Sequence, residues 1–204
     1  MQLSHPLAVV TPTLDGDVLM VLAGAEQEFT RGTIHSLVQG YSLSGVRKTL
    51  DRLCEQGLVI DERRGGVRTF RLNRSHLAAN AVIELASLRD RFFDRLREGL
   101  SSLPETPTYA AIFGSAARGD MSTSSDIDLF VVRPHLVLPD LEVWNEALSS
   151  LAALASGWVG NDVRVFEMTE SEVRERPDQP ILVSIRNEGI RLMGAMSFWV
   201  AAHG

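Results

Sequence analysis

The chain has 204 residues, enough for one large domain or two small ones, and its 45% hydrophobic and 23% charged residues are the balance of a globular protein. No apolar run reaches the roughly 18 residues that a membrane-crossing helix needs, and residues 1–17 hold neither a basic nor a sustained apolar segment, so a cytoplasmic protein with no membrane partner is expected. The net charge of −6 argues against a surface that binds nucleic acid everywhere, yet residues 30–74 carry nine basic and four acidic side chains, a local +5 that leaves −11 elsewhere.

The first predicted element is a short amphipathic helix over 15–26, "DGDVLMVLAGAE", with Thr13 and Asp15 in position to cap it. In "FTRGTIHSLVQG" Thr30 is the cap, Ile34, Leu37 and Val38 form the inward stripe, and Gly40 is the stop. Ser44 stands where it can cap a longer helix, "GVRKTLDRLCEQG", in which Val46, Leu50, Leu53 and Cys54 recur at helical spacing before Gly57. Cys54, the single cysteine, has no partner for a disulfide and reads as a small core residue. Two helices joined by a tight turn, the second bearing Ser44, Arg47, Lys48 and Arg52, make a helix-turn-helix candidate.

"LVIDERRGGVRTFRLN" then alternates as two strands around a Gly-Gly pair that supplies the positive φ angles of a hairpin turn. Arg63, Arg64 and Arg68 near its tip suit phosphate or minor-groove contacts. In layout and charge, residues 14–73 resemble the winged helix-turn-helix domains of bacterial transcription regulators. The resemblance implies a DNA-binding domain over 1–74; such a module can also serve protein–protein contact alone.

Residues 75–103 carry Ala78, Val82, Leu85, Leu88, Phe92, Leu96 and Leu100 at spacings of three and four, with opposite charges interleaved on the other face. They are expected to form one long linker helix over 75–104, packed on its own domains or pairing two copies as a homodimer. "PETP" closes it and opens the second domain, 105–204.

The segment "IFGSAARGDMSTSSDID" holds the chemistry. "TYAAIF" reads as a buried strand, and Gly114 and Ser115 open a turn or short helix reaching Gly119, where amides and a hydroxyl form a phosphate cradle. "SSDIDLFVV" is a second strand with Asp126 and Asp128 at its start. Side chains two apart in a strand share a face, which puts the carboxylates about 7 Å apart along the chain. Such a pair repels unless a cation neutralises it.

"GSAARGDMSTSSDIDL" resembles the signature of the DNA polymerase β-type nucleotidyltransferase superfamily, above all its minimal bacterial members. Gly114, Ser115, Arg118, Gly119, Ser125, Asp126, Asp128 and Leu129 fall at the expected spacing, and the resemblance spans about 105–194. Together with the winged-helix resemblance and the 75–104 helix, it implies an α+β chain: a winged helix-turn-helix, a long linker helix and a polymerase β-like α/β domain with a mixed sheet. It also implies that Asp126 and Asp128 hold two Mg²⁺ ions, that Gly114, Ser115 and Ser125 bind the nucleotide, and that Arg118 either contacts phosphate or steadies an aspartate.

The reaction implied is transfer of a nucleoside monophosphate from a nucleoside triphosphate to a hydroxyl of a protein, RNA or small molecule. The superfamily's third carboxylate comes from a later strand, here "DVRVFEM", and an ungapped comparison puts it near Arg164, where there is no acid. Asp162, on the face of Arg164, is the first candidate; Glu167, on the opposite face unless a bulge intervenes, is the second. The alternative to an enzyme is a DNA-binding regulator or antitoxin whose second domain binds nucleotide without turnover. Trp144, Trp158 and Trp199 read as packing residues, and His135 as a loop histidine.

Overall fold

The computed structural model describes residues 1–135 and 142–201, which divide into two compact units. One unit is His5–Arg89; the other comprises Met1–Ser4 and the chain from Asp90 onward.

In the first unit a 3-10 turn (Pro6–Val9) leads to α1 (Leu14–Ala23), β1 (Phe29–Thr30), α2 (Arg31–Leu37), α3 (Leu43–Glu55), β2 (Val59–Arg64), β3 (Val67–Leu72) and α4 (Ala79–Ala86). Thr30 caps α2 as expected, its hydroxyl accepting from the Thr33 amide at 3.1 Å. The cap of α3 is Ser42, two residues before the expected Ser44: its hydroxyl takes the Gly45 amide at 3.1 Å and touches the Ser44 hydroxyl at 3.0 Å.

Beyond α3, Gly57 has φ +74, and the Gly57 and Leu58 amides close back on the Cys54 and Leu53 carbonyls, the paired bonds of a Schellman stop. Gly65 and Gly66, both at positive φ, turn β2 into β3, so Arg64 pairs with Val67 and Arg63 with Arg68. β1 adds to the other side of β3, giving an antiparallel sheet in the order β1-β3-β2.

Val18, Leu22, Ile34, Val46, Leu50 and Phe70 centre the core. Leu37, expected inside, is 54% exposed, because α2 ends there and Val38 turns inward in its place.

The single helix expected over 75–104 is two helices. α4 ends at Ala86, and the Ser87 hydroxyl donates to the Glu84 carbonyl at 2.9 Å, offering it a partner outside the backbone ladder. α5 (Leu88–Ser101) then starts afresh. Val82 joins the core of the first unit, whereas Phe92, Leu96 and Leu100 join that of the second, so the apolar stripe serves two cores.

The second unit continues with β4 (Tyr109–Phe113), α6 (Gly114–Arg118), β5 (Ile127–Arg133), α7 (Glu142–Val159), β6 (Val163–Thr169), α8 (Glu170–Glu175), α9 (Pro180–Glu188), β7 (Ile190–Met193) and α10 (Ser197–Ala201). Its mixed sheet runs β6-β5-β4-β7, with β5 and β6 parallel and the other pairs antiparallel. Alternation along β5 feeds two cores: Ile127, Leu129 and Val131 pack in the cluster of α5 and α7, and Phe130 and Val132 in that of α8, α9 and α10. Among the described residues no helix is long and apolar enough to cross a membrane.

Candidate functional site

β4 ends at Phe113, and Gly114 turns the chain into α6 with φ +69, a conformation that favours glycine. A second reason for glycine lies across the ladder. Phe113 pairs with Asp128, and a Cβ on Gly114 would lie 2.5 Å from Asp128 Oδ2, so only a bare backbone passes the carboxylate. Gly119, at φ +81, ends α6 with its amide on the Ser115 carbonyl.

The approach to β5 is a serine turn. The Ser125 hydroxyl accepts the Ser122 amide at 2.9 Å and the Ser125 amide returns to the Ser122 carbonyl, so the Ser125 side chain, expected on the nucleotide, is engaged in shaping the turn. Asn161, 5% exposed, donates to the Thr123 and Ser125 carbonyls at 3.1 and 2.9 Å. Sequence reasoning passed over Asn161; the Gly160-Asn161 turn signal behind the α7 pattern was the one trace of it. The Asp162 carbonyl accepts the Ile127 amide at 2.8 Å, which fixes the register of β6 against β5.

Asp126, Asp128, Asp162 and Arg164 come together at this end of the sheet. Arg164 stands opposite Asp128 in the parallel ladder, its Nη1 forming an ion pair with Asp126 Oδ2 at 2.6 Å and its Nε donating to Asp162 Oδ2 at 3.1 Å. Burial pushes the Asp128 carboxyl upward from its ordinary pKa and the charge of Asp126 adds to this, against the opposing pull of Arg164 and Arg118. Arg118 also pairs with Asp120 at 3.3 Å and Glu188 at 3.7 Å.

Glu167 is not part of the group. β6 runs without a bulge against β5, and Glu167 takes the Trp144 indole N–H at 2.7 Å on the face of α7, with Arg133 3.5 Å away.

Among the described residues no set of three or more His, Cys, Asp or Glu is arranged to hold a metal ion. Two neighbouring carboxylates, one of them desolvated, do fit Mg²⁺, which is commonly held by one or two carboxylates together with substrate phosphates and water.

In the first unit, Arg47, Lys48 and Arg63 are exposed, with no ion pair among the described residues. Arg52 pairs with Asp15; Arg68 lies between Asp51 at 2.6 Å and Asp61 at 2.7 Å, over the Phe70 ring. That hydrogen bond holds the Asp61 carboxyl below its ordinary pKa. The Arg64 side chain lies outside the described residues.

Residues 93–155 match the model of the family described as nucleotidyltransferase domain. The match starts in α5 and ends in α7, so it takes in Gly114, Ser115, Arg118, Ser125, Asp126 and Asp128 but not Asp162 or Arg164. The chain matches none of the curated proteins. Among solved structures it is similar to a toxin-antitoxin with AMP-PNP, at 20% identity over 54% of this chain and 82% of that one, with a TM-score of 0.39. A mutant of the toxin-antitoxin MntA-HpeT is similar at 18% identity over the same shares, with a TM-score of 0.40.

Proposed function

We propose that the nucleotidyltransferase domain matched by residues 93–155 transfers a nucleoside monophosphate from a nucleoside triphosphate to an acceptor hydroxyl, and that the unit His5–Arg89 brings it to DNA. The observation that carries the reading is the contact geometry at Gly114: a side-chain-free turn runs against Asp128, beside Asp126, so a phosphate cradle and a carboxylate pair lie at one spot. In the reaction the acceptor oxygen bonds to the α-phosphorus, the bond to the departing pyrophosphate breaks, and the acceptor proton leaves.

Each residue then has a task. Gly114 and Ser115 offer amides and a hydroxyl to the outer phosphates. Arg118, exposed and near enough to act on Asp128, adds positive charge on that side. Asp162 is the carboxylate on hand for the acceptor proton. Asp126 and Asp128 would hold Mg²⁺, which when bound offsets charge on the phosphates and on the attacking and leaving oxygens.

A chain incubated with labelled nucleoside triphosphates and Mg²⁺ is expected to label a protein, RNA or small-molecule hydroxyl, and Asp126→Ala with Asp128→Ala to abolish the transfer. Label that persists in the double variant would overturn the reading.

A second reading keeps the nucleotide but not the turnover: Arg164, where an acid was expected, favours a nucleotide-binding regulator or antitoxin. Nucleotide binding with no transfer to any acceptor selects it.

The layout of α1, α2, α3 and the β2–β3 hairpin, with Arg47, Lys48 and Arg63 exposed, supports a winged helix-turn-helix that binds DNA. In a gel shift with the DNA upstream of its own gene, Arg47→Ala with Lys48→Ala is expected to weaken binding and flatten its salt dependence; an unchanged shift removes α3 from the interface. A homodimer and a cytoplasmic location accord with this reading, a two-fold operator calling for two copies.

A further inference from the structure

The carboxylate pair arrives with a cation already attached. A guanidinium does not give up its proton in proteins, so the charge of Arg164 is permanent. The parallel register holds it opposite Asp128, with Nη1 in an ion pair with Asp126 at 2.6 Å and Nε hydrogen-bonded to Asp162 at 3.1 Å. Asp162 thus holds Nε of the guanidinium while Nη1 meets Asp126. Among the described residues Asp128 has no ion pair of its own. The two carboxylates are therefore unequal: Asp126 has a direct ion pair, whereas Arg164 and Arg118 act on Asp128 only at longer range.

We propose that Arg164 is the resident counter-cation of this site, so that nucleotide and the carboxylate pair together take up one divalent ion, with Asp128 as the principal protein ligand, rather than two. This rests on the nucleotide site argued above. Arg164 acts through Asp126 and is a positioning residue: it fills with a fixed single charge the place that a second ion would otherwise occupy. Asp162 shares the same guanidinium through Nε at 3.1 Å.

The test counts Mn²⁺ by the electron paramagnetic resonance of the free ion, with and without non-hydrolysable analogues of the four nucleoside triphosphates. The wild type is expected to bind one Mn²⁺ per chain at saturating analogue, Arg164→Lys also one, and Arg164→Ala two. Without nucleotide, Arg164→Asp is expected to bind Mn²⁺ roughly tenfold more tightly than the wild type.

Two Mn²⁺ in the wild type, or an unchanged affinity in an Arg164→Asp chain that keeps its circular dichroism, overturns the proposal. If Arg164→Asp does not fold, the count in Arg164→Ala against Arg164→Lys decides. If no analogue binds the wild type, the nucleotide reading fails, and the nucleotide-free titration still decides the role of Arg164.

Discussion

Two glycines of one short helix carry different burdens. Gly114 and Gly119 both have positive φ, but a Cβ at Gly114 meets Asp128 Oδ2 at 2.5 Å, whereas at Gly119 the nearest atom is Ser4 Cβ at 3.9 Å. Gly119→Ala is expected to cost about 1–2 kcal/mol of stability, the backbone strain alone, and to keep nucleotide transfer. Gly114→Ala is expected to lose both, because the carboxylate must move; thermal melts beside the transfer assay separate the two. Gly114 and Asp128 were each legible in the sequence as candidates for the site. Their contact was not, since it depends on the pairing of Phe113 with Asp128.

Cys54 is half-buried, and burial first, then the charge of Asp61, pushes its thiol from 9.0 up to about 11. The folded chain holds this proton more tightly than the unfolded one. The associated stability is therefore fully present below pH 9 and lost as pH climbs toward 11. Alkylation of native Cys54 by iodoacetamide at pH 8 is expected to run about 100-fold slower than in denaturant, following the smaller thiolate fraction.

Among the elements, the start of α3 shows how propensity and geometry differ. "SLS" offers two serines, and the sequence pattern favoured Ser44; only the backbone shows that the Ser42 hydroxyl meets the Gly45 amide. Ser42→Ala is expected to cost about 1 kcal/mol in denaturant titration, and Ser44→Ala a few tenths at most.

The 75–103 stripe was legible as helix but not as two helices, because a three-four repeat runs unbroken through Ser87 while the cores it serves change there. The strand of Asp162 and Arg164 was legible too. Asn161 was not, as its role is to satisfy carbonyls 36 and 38 residues away. Asn161→Ala leaves those carbonyls without their donor and is expected to cost about 1–3 kcal/mol, with a raised KM for nucleotide as the serine turn loosens.

For the whole molecule, the division into two units with separate apolar clusters predicts two unfolding transitions rather than one. Leu50 is fully buried in the cluster of His5–Arg89. Leu50→Ala is expected to remove about 2–5 kcal/mol from that unit. In a calorimetric scan its transition should fall while that of the sheet β6-β5-β4-β7 keeps its place; a joint fall would mean that the units unfold as one. The charge asymmetry was legible from composition, and the structure divides its basic residues into those paired inside the unit, such as Arg68, and those left at the surface, such as Arg47.

The parallel pairing of β5 with β6 also governs when the site comes into being during synthesis. Asp128 and Arg164 face each other only after α7 has crossed over between their strands, a separation of 36 residues (164 − 128). Pairing across so long a loop is among the slower steps of folding. A chain still emerging from the ribosome thus displays the aspartate pair before its arginine has been made, and the charge balance of the site is a late event in the life of each new molecule.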